Sequence, residues 1–204
     1  MFGLFARPKR REGGQSEKDY YDEAFAGAQH WRDHYTKSGY YFLWTVIVDR
    51  LRALKPTAIL EIGCGPGQLA SAIHDAGLAQ KYTGIDFSGV ALDFARKACP
   101  AHYVFVEADA VATDIYETAE YDTAITTEFL EHVEGDLDVL AKLRPGTKLL
   151  STVPNFPYDS HVRHFENAEE VERRYGSLFR NFTVTTIPGV QTDTIFFLIQ
   201  GEKT

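Results

Sequence analysis

Apolar positions change their period along this chain. Between residues 19 and 54, Tyr40, Leu43, Trp44, Ile47, Leu51 and Leu54 recur at three- and four-residue steps, predicting a helix with one apolar face that Lys55-Pro56 ends. The stretch before it has helical spacing too, carries Tyr20, Tyr21, Phe25, Trp31 and Tyr35, and breaks at Ser38-Gly39. After Pro56 short apolar runs alternate with helical segments. Runs at 57–63, 81–87, 102–109, 121–127 and 147–153 read as buried strands. Among the helices between them, one shows Leu69, Ala72, Ile73 and Ala76 and closes at Gly77, and a second is capped by Ser88 and stops at Pro100. A third turns Leu137, Leu140 and Ala141 inward, with Asp136 and Asp138 near its start and Lys142 and Arg144 near its end, which suits the helix dipole. A helix over 166–175 leads to two last strands, 181–187 and 191–199, joined at Pro188-Gly189 as an antiparallel hairpin. The expected fold class is α/β: a doubly wound, seven-stranded, mostly parallel sheet with that C-terminal edge hairpin and an N-terminal helical lid. The expected division is a disordered basic tail over 1–18, the lid over 19–55 and a ligand-binding domain over 56–204.

Ligands in such sheets sit beyond the carboxyl ends of the strands, and three strand ends here suit an adenosine. Gly63, Gly65 and Gly67 alternate after the first strand, without the dinucleotide spacing and without the Lys-Ser/Thr of a triphosphate loop. Asp86 ends the second strand about twenty residues on, where a carboxylate accepts from vicinal ribose hydroxyls. Asp109-Ala110 ends the third, where a carboxylate meets an exocyclic amine.

With these residues in place, the stretch 58–152 resembles the class I S-adenosylmethionine-dependent methyltransferases. EIGCGPGQLA is similar to that family's glycine motif, GIDFS to its acidic motif and EADA to its adenine motif. The resemblance implies that Glu61, Gly63, Cys64, Gly65, Gly67 and Thr127 surround the methionyl and ribose part of S-adenosylmethionine. It also implies that Asp86 holds the ribose, Phe87 lies against the adenine, and Asp109 and Ala110 contact its edge.

Methyl transfer from a sulfonium asks the protein for alignment, exclusion of water and, for a hydroxyl acceptor, a base. Glu128, Glu131 and His132 follow the fourth strand as EFLEH, and on a helix their spacing shares one face. His161 and His164 follow the fifth strand. The candidate catalytic residues are therefore His132, Glu128, His161 and His164. Glu128, Glu131, His132 and His164 also make a set competent for a divalent metal, and they resemble the magnesium-dependent 2′-O-methyltransferases of small-RNA 3′ ends. Glu-His at this place equally resembles the ubiquinone-biosynthesis O-methyltransferases, and the metal-free reading is preferred. Tyr20, Tyr21, Trp31, Tyr35 and Asn155 are expected to wall the acceptor pocket. Pro154-Asn155-Phe156-Pro157-Tyr158 lacks the paired prolines of the amine-methylating motif and follows the wrong strand for it.

Charge and composition choose among acceptors. The 204 residues carry 21 Lys+Arg against 29 Asp+Glu, a net charge of −8, which argues against a general nucleic-acid partner. Arg163, Arg173, Arg174 and Arg180 are the candidates for a local cationic track. Two cysteines and no run of about 18 apolar residues fit a reducing cytoplasm and no membrane span. The first residues place Phe2, Leu4 and Phe5 before Arg7, Lys9, Arg10 and Arg11, which is not a secretory signal and reads as a tail rather than a foot on anionic lipid. The expected activity is methyl transfer to an oxygen or nitrogen of a small molecule. The alternatives are a metal-assisted 2′-O-methyltransferase of RNA 3′ ends and a non-catalytic S-adenosylmethionine-binding protein. Oligomeric state is not legible.

Overall fold

The structure is a computed structural model that describes residues 15–204; the first 14 residues of the tail expected over 1–18 lie outside them. The described elements are α1 (Lys18–Gly27), α2 (Tyr41–Leu54), β1 (Ala58–Ile62), α3 (Gln68–Asp75), β2 (Lys81–Asp86), α4 (Gly89–Ala98), β3 (Val104–Glu107), α5 (Ile115–Thr118), β4 (Thr123–Thr127), α6 (Asp136–Ala141), β5 (Lys148–Pro154), α7 (Ala168–Tyr175), β6 (Phe179–Pro188) and β7 (Ile195–Lys203). They form one seven-stranded sheet in the order β3-β2-β1-β4-β5-β7-β6. The first five strands are parallel, β7 is antiparallel to β5, and β6 is antiparallel to β7. All five β1 residues are buried, as a strand covered on both faces requires. Leu60 and Ile62 join Ile85, Leu140 and Tyr175 on one face, while Ile59 joins Leu69, Ile73 and Leu92 on the other. Strand order reverses between β1 and β4, and the crevice at such a point is where open sheets bind ligands.

Four local features depart from the sequence expectation. Helix α2 belongs to the core and not to a lid, because Leu43, Ile47 and Leu51 are fully buried against the second face. The ordered cover begins ahead of residue 19: Ser16 is buried, and Lys18 pairs with Glu107. Leu137 is exposed and Ala141 faces solvent; Val139, Leu140 and Leu143 point inward instead. Helix α6 has only six residues, and the burial of Asp136 at its start sets its phase. The β6–β7 connection spans residues 189–194 rather than a two-residue turn, and β6 carries a register shift between Arg180 and Thr183. Among the described residues no helix is long and apolar enough to cross a membrane.

Candidate active site

The loop after β1 is built from backbone alone. Gly63, Gly65 and Gly67 have φ of 75°, 51° and 77°, a region that L side chains rarely enter. The N–H groups of Gly63 and Cys64 both donate to the Ile85 carbonyl, at 2.8 and 3.0 Å, which ties the loop to the end of β2. A Cβ at Gly67 would lie 2.9 Å from the Cβ of Ala95, so α4 seats directly against the loop. Asp86 is buried beside it and accepts from Gly65 N–H and Ser88 N–H, both at 2.9 Å. Burial pushes its carboxyl up to about 6 against those two donors. Ser88 caps α4 through Ala91 N–H at 3.1 Å. Glu61 and Cys64 lie under the loop. Glu61 is buried and accepts from the Tyr82 hydroxyl at 2.5 Å, and burial pushes it up to about 8. Cys64 is buried in the core of the second face. Asp109 is exposed at the end of β3 and accepts from Val111 N–H at 2.8 Å, while Ala110 is buried.

Beyond β4 and β5 the chain gathers a second group. Thr127 ends β4; Glu128 follows with φ 50°, a left-handed value that is strained for a non-glycine residue. Its N–H donates to the Thr152 carbonyl and its carboxylate accepts from the Thr152 hydroxyl at 3.0 Å, which holds that conformation. Phe129 then covers Gly63, and a 3₁₀ turn over Leu130–His132 turns Glu131 and His132 inward. Glu131 is fully buried, and neither of its carboxylate oxygens has a hydrogen-bond partner among the described residues. Burial and the neighbouring Glu128 hold its carboxyl well above the usual range. His132 donates Nδ1–H to the Ser160 carbonyl and His161 donates Nδ1–H to the Phe156 carbonyl, both at 3.1 Å. Each donation directs the remaining Nε2 lone pair away from the backbone. Burial, with His161 beside it, pushes His132 down to about 3, and burial pushes His161 down to about 4. One ligand atom from each of Glu131, His132 and His161 falls within 4.8 Å of the others.

His161, not His164, therefore joins Glu131 and His132. His164 is exposed on a separate groove of about 500 Å³, walled also by Leu137, Arg163 and Arg173. Asn155 is engaged elsewhere: its side chain donates to the Asp193 carbonyl at 3.1 Å and accepts from Ile195 N–H at 2.7 Å, tethering the β6–β7 connection.

Helix α1 closes this end of the sheet. The Tyr21 ring lies 5.2 Å from Phe87 and 5.9 Å from His132, bridging the end of β2 to the turn after β4. Phe25 stands over Gly65 and packs on Trp31 at 5.3 Å. Asp22 accepts from the Ser88 hydroxyl at 2.5 Å, and Gln68 donates to the carbonyls of His30 and Asp33. Tyr35 points away and donates to Asp75 at 2.8 Å. Sequence reasoning missed three rings that reach this region. Tyr158 lies tilted 5.6 Å from His161, Phe156 lies 5.9 Å from it, and the half-buried Tyr40 packs 6.2 Å from Phe196, which in turn contacts Phe156. In the sequence Tyr40 marks only an apolar helix face.

Residues 59–147 match the family model described as a methyltransferase domain. A ubiquinone biosynthesis O-methyltransferase of Thiobacillus denitrificans is 35% identical over 131 residues, 61% of this chain and 56% of that protein. The chain thus spans a little over half the length of the curated relatives it matches. Magnesium protoporphyrin IX methyltransferase from Synechocystis PCC 6803, solved with bound SAM, superposes with a TM-score of 0.67 at 17% identity, covering 92% of this chain and 97% of the other. The methyltransferase domain of a bacterial Hen1 superposes at 0.56 with 18% identity, over 76% of this chain and 96% of the other. The fold is that of the class I methyltransferases.

Proposed function

We infer that this chain is an S-adenosylmethionine-dependent methyltransferase whose acceptor is a hydroxyl of a small aromatic molecule. The observation that carries this reading is the cluster of fully buried Glu131 with His132 and His161, in which neither Glu131 carboxyl oxygen has a hydrogen-bond partner among the described residues. The residues present suit the cofactor: bare left-handed backbone after β1, a buried carboxylate at the end of β2, and a bridging aromatic ring between Phe87 and His132. S-adenosylmethionine, when bound, supplies a methyl already activated on a sulfonium, lost by in-line displacement. Gly63, Gly65 and Gly67 let the backbone pass close under it, and Asp86 accepts from its ribose. Tyr21 and Phe25 exclude water from above. The His132 Nε2 lone pair accepts the acceptor's hydroxyl proton, and the Glu131 carboxyl, which burial and Glu128 hold well above its usual range, stands 3.8 Å from that nitrogen. The rings of Phe156 and Tyr158 offer flat faces to an aromatic acceptor. The candidate RNA track supports a small acceptor as well: Arg163 and Arg174 both bind Asp136, and Arg180 pairs with Glu202.

Calorimetry with S-adenosylhomocysteine and transfer from radiolabelled S-adenosylmethionine to 3,4-dihydroxybenzoate test the reading. Asp86→Ala is expected to weaken binding at least tenfold. His132→Ala is expected to leave binding within twofold and to slow turnover about 10²-fold, the usual scale for loss of a general base. Unchanged binding in both Asp86→Ala and Gly65→Arg would sink the cofactor assignment.

The unpartnered Glu131 carboxylate favours a second reading, in which Glu131, His132 and His161 hold a divalent cation that anchors the acceptor oxygen. Under it, millimolar Mg²⁺ or Mn²⁺ raises the Tm of the wild type and not of Glu131→Ala. An unmoved Tm with Mg²⁺, Mn²⁺ and Zn²⁺ leaves the metal-free site.

A further inference from the structure

The turn that carries Glu131 and His132 cannot hold itself. It is a single 3₁₀ turn of three residues between a strained Glu128 and an irregular loop, and such turns have little stability of their own. The Glu131 carboxyl has no hydrogen-bond partner among the described residues, and its one ion-pair contact, His132 at 3.8 Å, lies on the same turn and anchors it to nothing outside. What fixes the turn comes from the loop after β5. Val162 N–H donates to the Glu131 carbonyl at 2.8 Å, and the Arg163 guanidinium donates to the carbonyls of Leu130, Val133 and Glu134. One fork thus gathers three carbonyls from both sides of the two site residues. Arg163 is in turn placed by Asp136, 3.4 Å away, whose side chain is 1% exposed. Asp136 also accepts from Arg174 through both its oxygens and from the Tyr175 hydroxyl, all at 2.7 Å. The buried charge is fully satisfied by α7, as a buried carboxylate must be.

The geometry points to Arg163 as a positioning residue for methyl transfer: held by Asp136 and α7, its guanidinium sets where Glu131 and His132 stand. This rests on the function proposed above, in which His132 takes the acceptor's proton with Glu131 beside it. Lysine cannot substitute, because one ammonium group cannot span three carbonyls and a carboxylate in a planar fork. Arg173 lines the same groove, is exposed and forms no ion pair among the described residues, so it serves as the control.

The test is Arg163→Ala and Arg163→Lys in the full chain, beside Arg173→Ala. Turnover of 3,4-dihydroxybenzoate is expected to fall at least thirtyfold in Arg163→Ala and at least tenfold in Arg163→Lys. The dissociation constant for S-adenosylhomocysteine stays within twofold, and Arg173→Ala matches the wild type. Added guanidinium, but not urea, is expected to restore at least a tenth of the lost rate to Arg163→Ala, which a loss of general stability would not allow. Independently of activity, ¹⁵N NMR of the His132 imidazole in the S-adenosylhomocysteine complex should shift in Arg163→Lys and not in Arg173→Ala. If the wild type transfers no methyl, the proposed function falls while the imidazole spectrum still decides the positioning. An unmoved His132 spectrum in Arg163→Lys, or a rate lost only in step with S-adenosylhomocysteine affinity, overturns the assignment.

Discussion

Gly67 is a glycine of the β1 loop that packed backbone and side chains of α4 hold to its small size. Its φ is 77°, and a Cβ there would meet Ala95 and the Cys99 sulfur at about contact-breaking distance, 2.9 and 3.0 Å. Gly67→Ala combines left-handed strain of about 1–2 kcal/mol with overpacking of about 1–3 kcal/mol. Urea unfolding should therefore show a loss of roughly 2–5 kcal/mol, with S-adenosylhomocysteine binding weakened as the loop shifts. Gly65, which faces only Phe25 at 3.8 Å, should tolerate alanine better in packing, its φ of 51° being the remaining cost. The alternating glycines and the acids at the strand ends were legible because they fall at boundaries that hydrophobic period itself defines. The choice between His161 and His164 was not. Both lie in the irregular stretch between β5 and α7, where no periodicity assigns a side, and the Nδ1–H bond from His161 to Phe156 decides the matter. Asn155 misled for a related reason, since a polar residue after a strand serves a ligand or a loop equally well, and here it serves the β6–β7 connection.

At the scale of elements, α1 is a cover pinned at separate points. Lys18 pairs with Glu107 beyond β3, Asp22 takes the hydroxyl of the residue that caps α4, and Gln68 of α3 holds the carbonyls of His30 and Asp33. Only Phe25 of α1 is buried, so the polar pins carry much of its attachment. Asp22→Ala is expected to speed dissociation of S-adenosylhomocysteine severalfold in stopped flow and to quicken proteolysis within residues 18–37, with little change in the global Tm. A dissociation rate equal to the wild type would mean that Phe25 and Tyr21 alone hold the cover. The sequence groups residues 19–55 as one lid, although the apolar face of the second helix already points to packing on a core. Helix α2 spends its apolar face on the sheet, and α1 spends its few rings on the crevice. The central strands were read nearly to their ends because burial on both faces leaves continuous apolar runs, whereas the short α6 took its phase from an ion pair that no period shows.

For the whole molecule, the buried acids tie folding to pH. Glu61 is pushed from 4.5 up to about 8 by burial, so its folded value lies above its unfolded one. Its contribution is fully present below pH 4.5 and is lost as pH rises toward 8, because the unfolded chain releases the proton first. Over that window the free protein should lose up to about 1.4 kcal/mol per pH unit from this group. Glu61→Gln is expected to flatten the dependence of Tm on pH between 5 and 8; a slope equal to the wild type would place the pH sensitivity elsewhere. Asp86, held up to about 6, adds to the same trend, and a ribose bound at its carboxylate changes that part of the slope. The two tryptophans give these motions an optical signature. Trp44 is 7% exposed in the α2 core, while Trp31 is half-buried against Phe25 in the cover. Trp44 emission should stay blue until the core melts, and Trp31 emission should redden whenever the cover lifts, so a Trp44→Phe variant would report the opening of the site in light alone.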